Sequence, residues 1–318
     1  MPPSIPFRAK RVVIGARAHA QLAAFIRERR PDLEVEGAAH TEITPAQLAW
    51  ADAYVGFRRP PGAATMGAVR WVHCTGAGVD SWLDAPGLDV EVLLTRTPES
   101  FGPAIAEWAV ARVLAFQQQL LDVAKAQSER RWAPRDIQPV AGTRALVLGT
   151  GDVGRVVANR LHTLGCDVVG VSRTGRAASA DFSAVHRAAA LPDLVGDAQW
   201  IVLTLPVTAA TRGLFSRALM SRCRGAVLLN AGRGAVVEER AIPEALDQGW
   251  LRGAALDVFA VEPLPADSPL WGDARVMVSP HISGLTTVEG AGTGFLECLA
   301  MLERGELPRW VVDRGRGY

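Results

Sequence analysis

The chain has 318 residues, 49% of them hydrophobic, and its 34 Lys+Arg nearly balance its 33 Asp+Glu for a formal net charge of +1. That length suits roughly two domains of about 100–200 residues each, and the apolar fraction excludes a disordered chain. Near-neutrality leaves no electrostatic basis for a nucleic-acid or membrane partner.

The opening segment, MPPSIPFRAKR, lacks the apolar stretch of a secretory signal. No uncharged apolar run approaches the roughly 18 residues that span a bilayer. Cys74, Cys166, Cys223 and Cys298 are scattered without CxxC spacing. They read as reduced, buried thiols of a cytoplasmic protein, with neither a disulfide framework nor a metal site.

In the first third, RVVIG, DAYVGF, VRWVHC and VEVLLT read as strands and QLAAFIRERR as a helix. One long helical pattern then runs from Pro103 to Gln127, and WAPRDIQP, with its two prolines, reads as a loop. A second alternation follows: RALVLG, VVGVSR, WIVLTLP, GAVLLNAG, GAALDVF and RVMVSP. Most are continuous apolar runs, as parallel strands covered on both faces require. A last helix is expected over Val288 to Arg304. The class is α/β, with two doubly wound lobes.

The strongest local signal is ALVLGTGDVGRVVANRL, where a strand meets Gly149, Gly151 and Gly154 and passes into a helix. The first glycine permits the tight turn, the second lets backbone approach a pyrophosphate, and the third lets helix pack on strand. The helix N-terminus offers free N–H groups and a positive dipole end to the phosphates. The next strand ends in VVGVSRTGR, where such folds usually carry an acid for the adenosine ribose. Here Ser172, Arg173 and Arg176 stand instead. Serine removes a charge that would repel a 2′-phosphate, and arginine offers a planar fork that matches one. NADPH is therefore expected as the preferred cofactor, with NADH weaker.

Three more segments end strands, where open α/β sheets place ligands: LLNAGRGAVV with Arg233, ALDVFAVEPLP with Glu262, and VMVSPHISG with His281. Arginine can grip a carboxylate and polarise the adjacent C=O, histidine can deliver a proton, and glutamate can hold the imidazolium. His73 is the rival proton donor, but no glutamate motif accompanies it and it reads as a strand residue.

From Asp52 onward the sequence resembles the D-2-hydroxyacid dehydrogenase family, specifically its glyoxylate/hydroxypyruvate reductase branch. The resemblance is carried by CTGAGVDSWL, IAEWAV, GTGDVG, TLPVTAATRGLF, NAGRGAVVEE, LDVFAVEPLP, SPHISG and VDRGRGY, in that order. The first fifty residues match only in pattern. The resemblance implies a flavodoxin-like substrate-binding domain of residues 1–99 and 284–318, into which a Rossmann NAD(P)-binding domain of residues 100–283 is inserted.

It further implies that Arg233 binds substrate, that His281 is the proton donor, and that Glu262 is its partner. The backbone of Gly76, Ala77 and Gly78 would cradle the substrate carboxylate. Gly149, Thr150, Gly151, Asp152, Val153 and Gly154 would hold the pyrophosphate, and Ser172, Arg173 and Arg176 the ribose end. Leu205, Pro206, Thr211, Asn230, Ala231 and Gly232 would line the cofactor, with Asp257 and His281 near the nicotinamide. The branch commonly carries Ser-Arg where other members carry the ribose acid.

The expected activity is reduction of a small 2-oxo acid, glyoxylate or hydroxypyruvate, to the D-2-hydroxy acid. The natural substrate depends on loops such as GFRRPPGAAT, whose path sequence alone does not give. Trp132 and the long helix before it suggest a homodimer interface. Two alternatives remain in view: a nucleotide-sensing regulator of the same fold without turnover, and a methyltransferase, which would normally keep the ribose acid.

Overall fold

A computed structural model describes residues 7–61, 65–83, 88–176 and 179–318. The opening six residues and the tip of the GFRRPPGAAT loop, 62–64, lie outside the described residues.

The apolar runs become strands in two sheets, and all pairings between these strands are parallel. The first sheet contains β1 (Arg11–Gly15), β2 (Glu34–Ala38), β3 (Ala53–Val55), β4 (Trp71–Cys74) and β5 (Leu93–Arg96). The second contains β6 (Arg144–Leu148), β7 (Asp167–Ser172), β8 (Ala184–Arg187), β9 (Trp200–Leu203), β10 (Ala226–Asn230), β11 (Leu251–Leu256) and β12 (Val276–Val278). The helices are α1 (His19–Arg29), α2 (Pro45–Trp50), α3 (Asp80–Leu83), α4 (Gly102–Gln117), α5 (Leu120–Ser128), α6 (Asp152–Thr163), α7 (Leu191–Leu194), α8 (Arg217–Met220), α9 (Ile242–Asp247) and α10 (Val288–Glu303).

The first sheet runs β2-β1-β3-β4-β5, the flavodoxin-like order. Leu22 and Ile26 of α1 pack with Phe295, Leu299 and Leu302 of α10 in one core cluster, and Leu48 of α2 and Trp82 of α3 belong to another. Thr44 starts α2 with a capping box, its hydroxyl accepting from Gln47 N while the Gln47 side chain accepts from Thr44 N. After α10 the chain returns to the sheet, where Val312 N donates to Leu94 O at 2.9 Å.

The second sheet runs β12-β11-β10-β9-β6-β7-β8, which is the Rossmann order extended by one strand. Its core joins Leu146, Ile201 and Leu228 from the strands to Leu191, Met220, Ile242 and Leu246 from α7, α8 and α9. Two compact units result: Met1–Phe101 with Thr286–Tyr318, and Gly102–Leu285.

The structure departs from the sequence reading in two places. The helix expected over 103–127 is two helices, broken where Gln119 takes φ +51°. Polar side chains secure the break: Gln117 Nε2 donates to Gln138 O at 2.8 Å, and Arg135 Nη1 donates to Gln119 Oε1 at 2.7 Å. Glutamine is an ordinary helix former, so nothing local announces the turn. The strands β2 and β8 were not expected, because EVEGA and AVHR carry no apolar run. Both are edge strands, covered on fewer sides than the centre of a sheet.

Candidate active site

The carboxyl ends of β6 and β9 flank the point where strand order reverses in the second sheet, the usual ligand crevice of an open α/β sheet. The three glycines there serve different needs. Gly149 has φ +102°. A Cβ at Gly154 would lie 1.7 Å from the Gly149 carbonyl oxygen, so α6 can approach the turn only without a side chain. At Gly151 an added Cβ would meet nothing within 4 Å. The fold does not require glycine there, whereas a group lying against the backbone would. Gly151 is also the N-cap of α6 and supplies no side-chain cap, so the first N–H groups of the helix suit an anion. Thr150 is buried, with its methyl where a Cβ on Gly170 of β7 would come within 2.8 Å. Asp152 and Val153 open α6, and Asp152 Oδ1 lies 3.6 Å from Arg155 Nη2.

At the end of β7 the Ser172 hydroxyl accepts from Gly175 N at 3.0 Å and closes a turn in which Gly175 has φ +70°. Arg173 and Arg176 are exposed on that turn. At the end of β9, the Thr211 hydroxyl donates to Pro206 O at 2.7 Å and accepts from Thr208 N at 2.8 Å, stapling the loop that begins at Leu205. Gly232 lies against that loop, since its Cβ would come 2.7 Å from Leu205 O. Ala231 beside it is buried.

Asn230, the last residue of β10, is buried, and its amide is used on both sides. Oδ1 accepts from Gly232 N at 3.1 Å and Nδ2 donates to Arg233 O at 3.1 Å. Arg233 is half-buried, with Nη1 donating to Gly232 O at 2.8 Å. The Asn230 carbonyl accepts from Asp257 N at 3.0 Å, which links the end of β10 to the end of β11.

Asp257 is fully buried, and three donors from one loop satisfy its carboxylate. They are the Ser279 hydroxyl at 2.5 Å and Ile282 N at 3.0 Å on Oδ1, and Ser283 N at 2.8 Å on Oδ2. The Trp108 indole N–H donates to Ser279 Oγ at 3.0 Å and ties the loop to α4. The Asp257 carbonyl accepts from His281 N at 2.8 Å. His281 takes φ +54°, sparsely populated for any residue with a side chain. The Asp257 carboxylate thus anchors the histidine loop; this is the work its hydrogen bonds do. Sequence reading did not single out Trp108 or Ser279, because neither carries chemistry by residue type.

His281 Nδ1 and Glu262 Oε2 lie 2.8 Å apart, with the two side chains 43% and 37% exposed. The other Glu262 oxygen accepts from Phe259 N at 3.0 Å, which fixes the carboxylate. With Nδ1–H donating to a carboxylate, Nε2 is the nitrogen left to meet a reactant, and in the imidazolium it carries the second proton, the one that can be delivered. Arg233, Glu262 and His281 all belong to the second unit, on loops after β10, β11 and β12.

In the first unit the loop after β4 carries Gly76, Ala77 and Gly78. Arg96 Nη1 donates to Ala77 O at 2.9 Å, Thr97 N donates to Gly76 O at 3.3 Å, and the Thr286 hydroxyl donates to Thr75 O at 3.2 Å. Arg96, which sequence reading also passed over, braces the glycine loop. His73 is fully buried, between Thr95 Oγ1 at 2.8 Å and Thr97 Oγ1 at 2.7 Å, with the Trp71 and Phe295 rings beside it. Burial pushes its pKa down to about 3. A neutral imidazole, donating through one nitrogen and accepting through the other, satisfies both threonines. His73 is a packing residue.

Residues 110–283 match the family described as D-isomer specific 2-hydroxyacid dehydrogenase, NAD binding domain. Glyoxylate/hydroxypyruvate reductase A from Serratia proteamaculans is 32% identical over 308 residues, 93% of this chain and 95% of that protein. A D-isomer specific 2-hydroxyacid dehydrogenase from Xanthobacter autotrophicus Py2, solved in complex with NADPH and MES, superposes with a TM-score of 0.87 at 31% identity, covering 98% of this chain and 100% of that one. An NADPH-dependent glyoxylate/hydroxypyruvate reductase from Sinorhizobium meliloti, solved with NADP and sulfate, gives 0.87 at 29% identity, covering 97% and 100%. Among the described residues no helix is long and apolar enough to cross a membrane, and no group of three His, Cys, Asp or Glu could hold a metal ion.

Proposed function

This chain belongs to the D-isomer specific 2-hydroxyacid dehydrogenase family, in its glyoxylate/hydroxypyruvate reductase branch, and is an NAD(P)-dependent oxidoreductase; from that premise we propose that it reduces a small 2-oxo acid, glyoxylate or hydroxypyruvate, to the D-2-hydroxy acid with NADPH. The observation that carries this reading is the 2.8 Å His281–Glu262 pair, on two loops of the same sheet that positions Arg233.

In this reading the Arg233 fork grips the substrate carboxylate and draws electron density from the adjacent carbonyl. His281, as the imidazolium, gives its Nε2 proton to the carbonyl oxygen and is left as the neutral ring with Nδ1–H, while Glu262 supports the charged form and holds the ring's orientation for that transfer. The cofactor, when bound, supplies the hydride. Gly76, Ala77 and Gly78 contribute backbone N–H groups to the carboxylate, and Asn230, Ala231, Gly232, Leu205, Pro206 and Thr211 shape the cofactor's path. Asp257 contributes through the histidine loop. The first unit is accordingly the substrate-binding domain and the second the nucleotide-binding domain.

Preference for NADPH over NADH is supported by Ser172 in place of an acid and by Arg173 and Arg176 on the same turn, and by the NADPH and NADP bound to the two relatives. If each arginine contributes about 1–2 kcal/mol in a solvent-exposed cleft, the preference is some 30- to 1,000-fold. The test is loss of NADPH absorbance with glyoxylate and hydroxypyruvate, repeated with NADH and in a Ser172→Asp, Arg173→Ala, Arg176→Ala protein. Nucleotide binding without turnover on a panel of 2-oxo acids would make the chain a sensor instead. An NADH preference, or one unmoved by the triple change, would remove the role of the arginines.

The reading includes a cytoplasmic homodimer. Trp132 is 94% exposed, on the loop after α5, and Leu120, Leu121 and Val123 of α5 are also exposed. A second copy of the chain is the proposed cover for this apolar face. Light scattering that shows a monomer at micromolar concentration would remove that part.

A further inference from the structure

The turn after β7 carries two arginines, and the strand beside it carries a third. β8 is an edge strand, and its last residue, Arg187, lies in register with Ser172. Arg187 Nε donates to Thr174 O at 3.3 Å. The stem of the same side chain lies against the turn, since a Cβ on Gly175 would come 3.0 Å from Arg187 Cγ. The turn is thus held from two sides, by the Ser172 hydroxyl on Gly175 N and by the Arg187 guanidinium on the Thr174 carbonyl. Among the described residues Arg187 makes no other hydrogen bond and no ion pair. Its Nε fixes the base of the guanidinium, and both Nη groups keep their donors.

We propose that Arg187 is a specificity-determining residue of the cofactor site, a third cationic contact for the 2′-phosphate on the adenosine ribose. The inference rests on the NADPH reading above and extends it to a strand that carried no sequence signal. The chemistry favours a phosphate over a neutral ribose. A phosphate monoester presents about −1.5 to −2 charge and three acceptor oxygens, each able to accept more than one hydrogen bond, so the forks of two arginines leave sites for a further donor. A ribose hydroxyl would find no carboxylate on this turn to receive its proton. Arg187 is also pre-organised: part of the entropy of ordering a long side chain is already spent in the unliganded protein, through its bond to Thr174 and its packing on Gly175.

The experiment compares wild type with Arg187→Ala and Arg187→Lys, using both cofactors under steady-state reduction. In Arg187→Ala the KM for NADPH is expected to rise about five- to tenfold, the scale of one partly exposed charge-assisted contact. The kcat and the KM for NADH should stay unchanged. Lysine keeps the charge but lacks the Nε that holds Thr174, and should recover part of the loss. Calorimetry with adenosine 2′,5′-bisphosphate against adenosine 5′-monophosphate isolates the subsite, and only the bisphosphate should weaken in Arg187→Ala. Equal losses for both cofactors, or for both nucleotides, would mean that Arg187 only staples the turn, which overturns the proposal. So would no change at all in a wild type that prefers NADPH. A wild type that prefers NADH strikes instead at the reading beneath it.

Discussion

Both sheets reverse their strand order once, yet they finish the resulting crevice in opposite ways. Between β1 and β3 the first sheet fills it with Tyr54: a Cβ on Gly15 would lie 1.9 Å from the tyrosine hydroxyl, and that hydroxyl donates to Arg58 O at 2.9 Å. Burial raises the Tyr54 pKa and keeps it a neutral donor. Between β6 and β9 the second sheet places Gly151, with open space where a side chain would be. The two histidines diverge in the same way. His73 sits in the first unit between two threonine hydroxyls without access to water, and His281 sits in the second, half-exposed, on a carboxylate. Topology offers a crevice twice, and side chains decide which one is left for a ligand.

The strongest way to break this comparison is to exchange the roles of the histidines. His281→Gln should lower kcat for reduction by about 10²–10⁴-fold while NADPH still binds, because only the proton donor is lost. Turnover close to wild type would return the role to His73. Arg233→Lys should lower kcat/KM by about 10- to 150-fold, since a point charge cannot replace the two-pronged fork and each lost hydrogen bond to a charged group is worth about 1.5–3 kcal/mol. Retained kcat/KM would place Arg233 outside the site.

The glycines sharpen the comparison. Gly151→Ala should fold with unchanged or slightly higher thermal stability, because its methyl meets open space and the unfolded chain loses freedom. Cofactor affinity should nonetheless fall about 5- to 150-fold, the effect of about 1–3 kcal/mol of steric conflict with a ligand lying on the backbone. Gly154→Ala should damage folding itself, since its Cβ would overlap the Gly149 carbonyl. Equal NADPH affinity in Gly151→Ala and wild type would mean that nothing approaches there.

The smallest effect concerns His73. Its folded-state pKa of about 3 lies below the roughly 6.5 of an unfolded histidine. Between those values the unfolded chain binds the extra proton. The contribution of His73 to stability is therefore complete above about pH 6.5 and is lost as pH falls, by up to about 1.4 kcal/mol per pH unit. Carboxylates add their own losses mainly below about pH 4.5. Between pH 6.5 and 4.5 the stability of His73→Gln should fall less steeply than that of wild type, whatever its absolute value. Parallel slopes in urea unfolding across that range would show that His73 is not the buried neutral group described here.

The sequence by itself determined the α/β class, ten of the twelve strands among the described residues and the glycine turn, and it pointed to Arg233, Glu262 and His281, which share the second unit. These were legible because central parallel strands need continuous apolar runs, and because phosphate and proton chemistry restrict residue type at fixed positions. Tertiary structure alone decided the break at Gln119, which rests on hydrogen bonds to residues 135 and 138–139. It decided β2 and β8, which take their partners from longer neighbours, and with β8 the place of Arg187 beside Ser172. It also decided what Asp257, Ser279 and Trp108 do, because a hydrogen bond spanning 171 residues of chain has no local signature. A residue's chemistry can be read from its type and its neighbours in sequence; its partners exist only once the sheets have brought distant loops together.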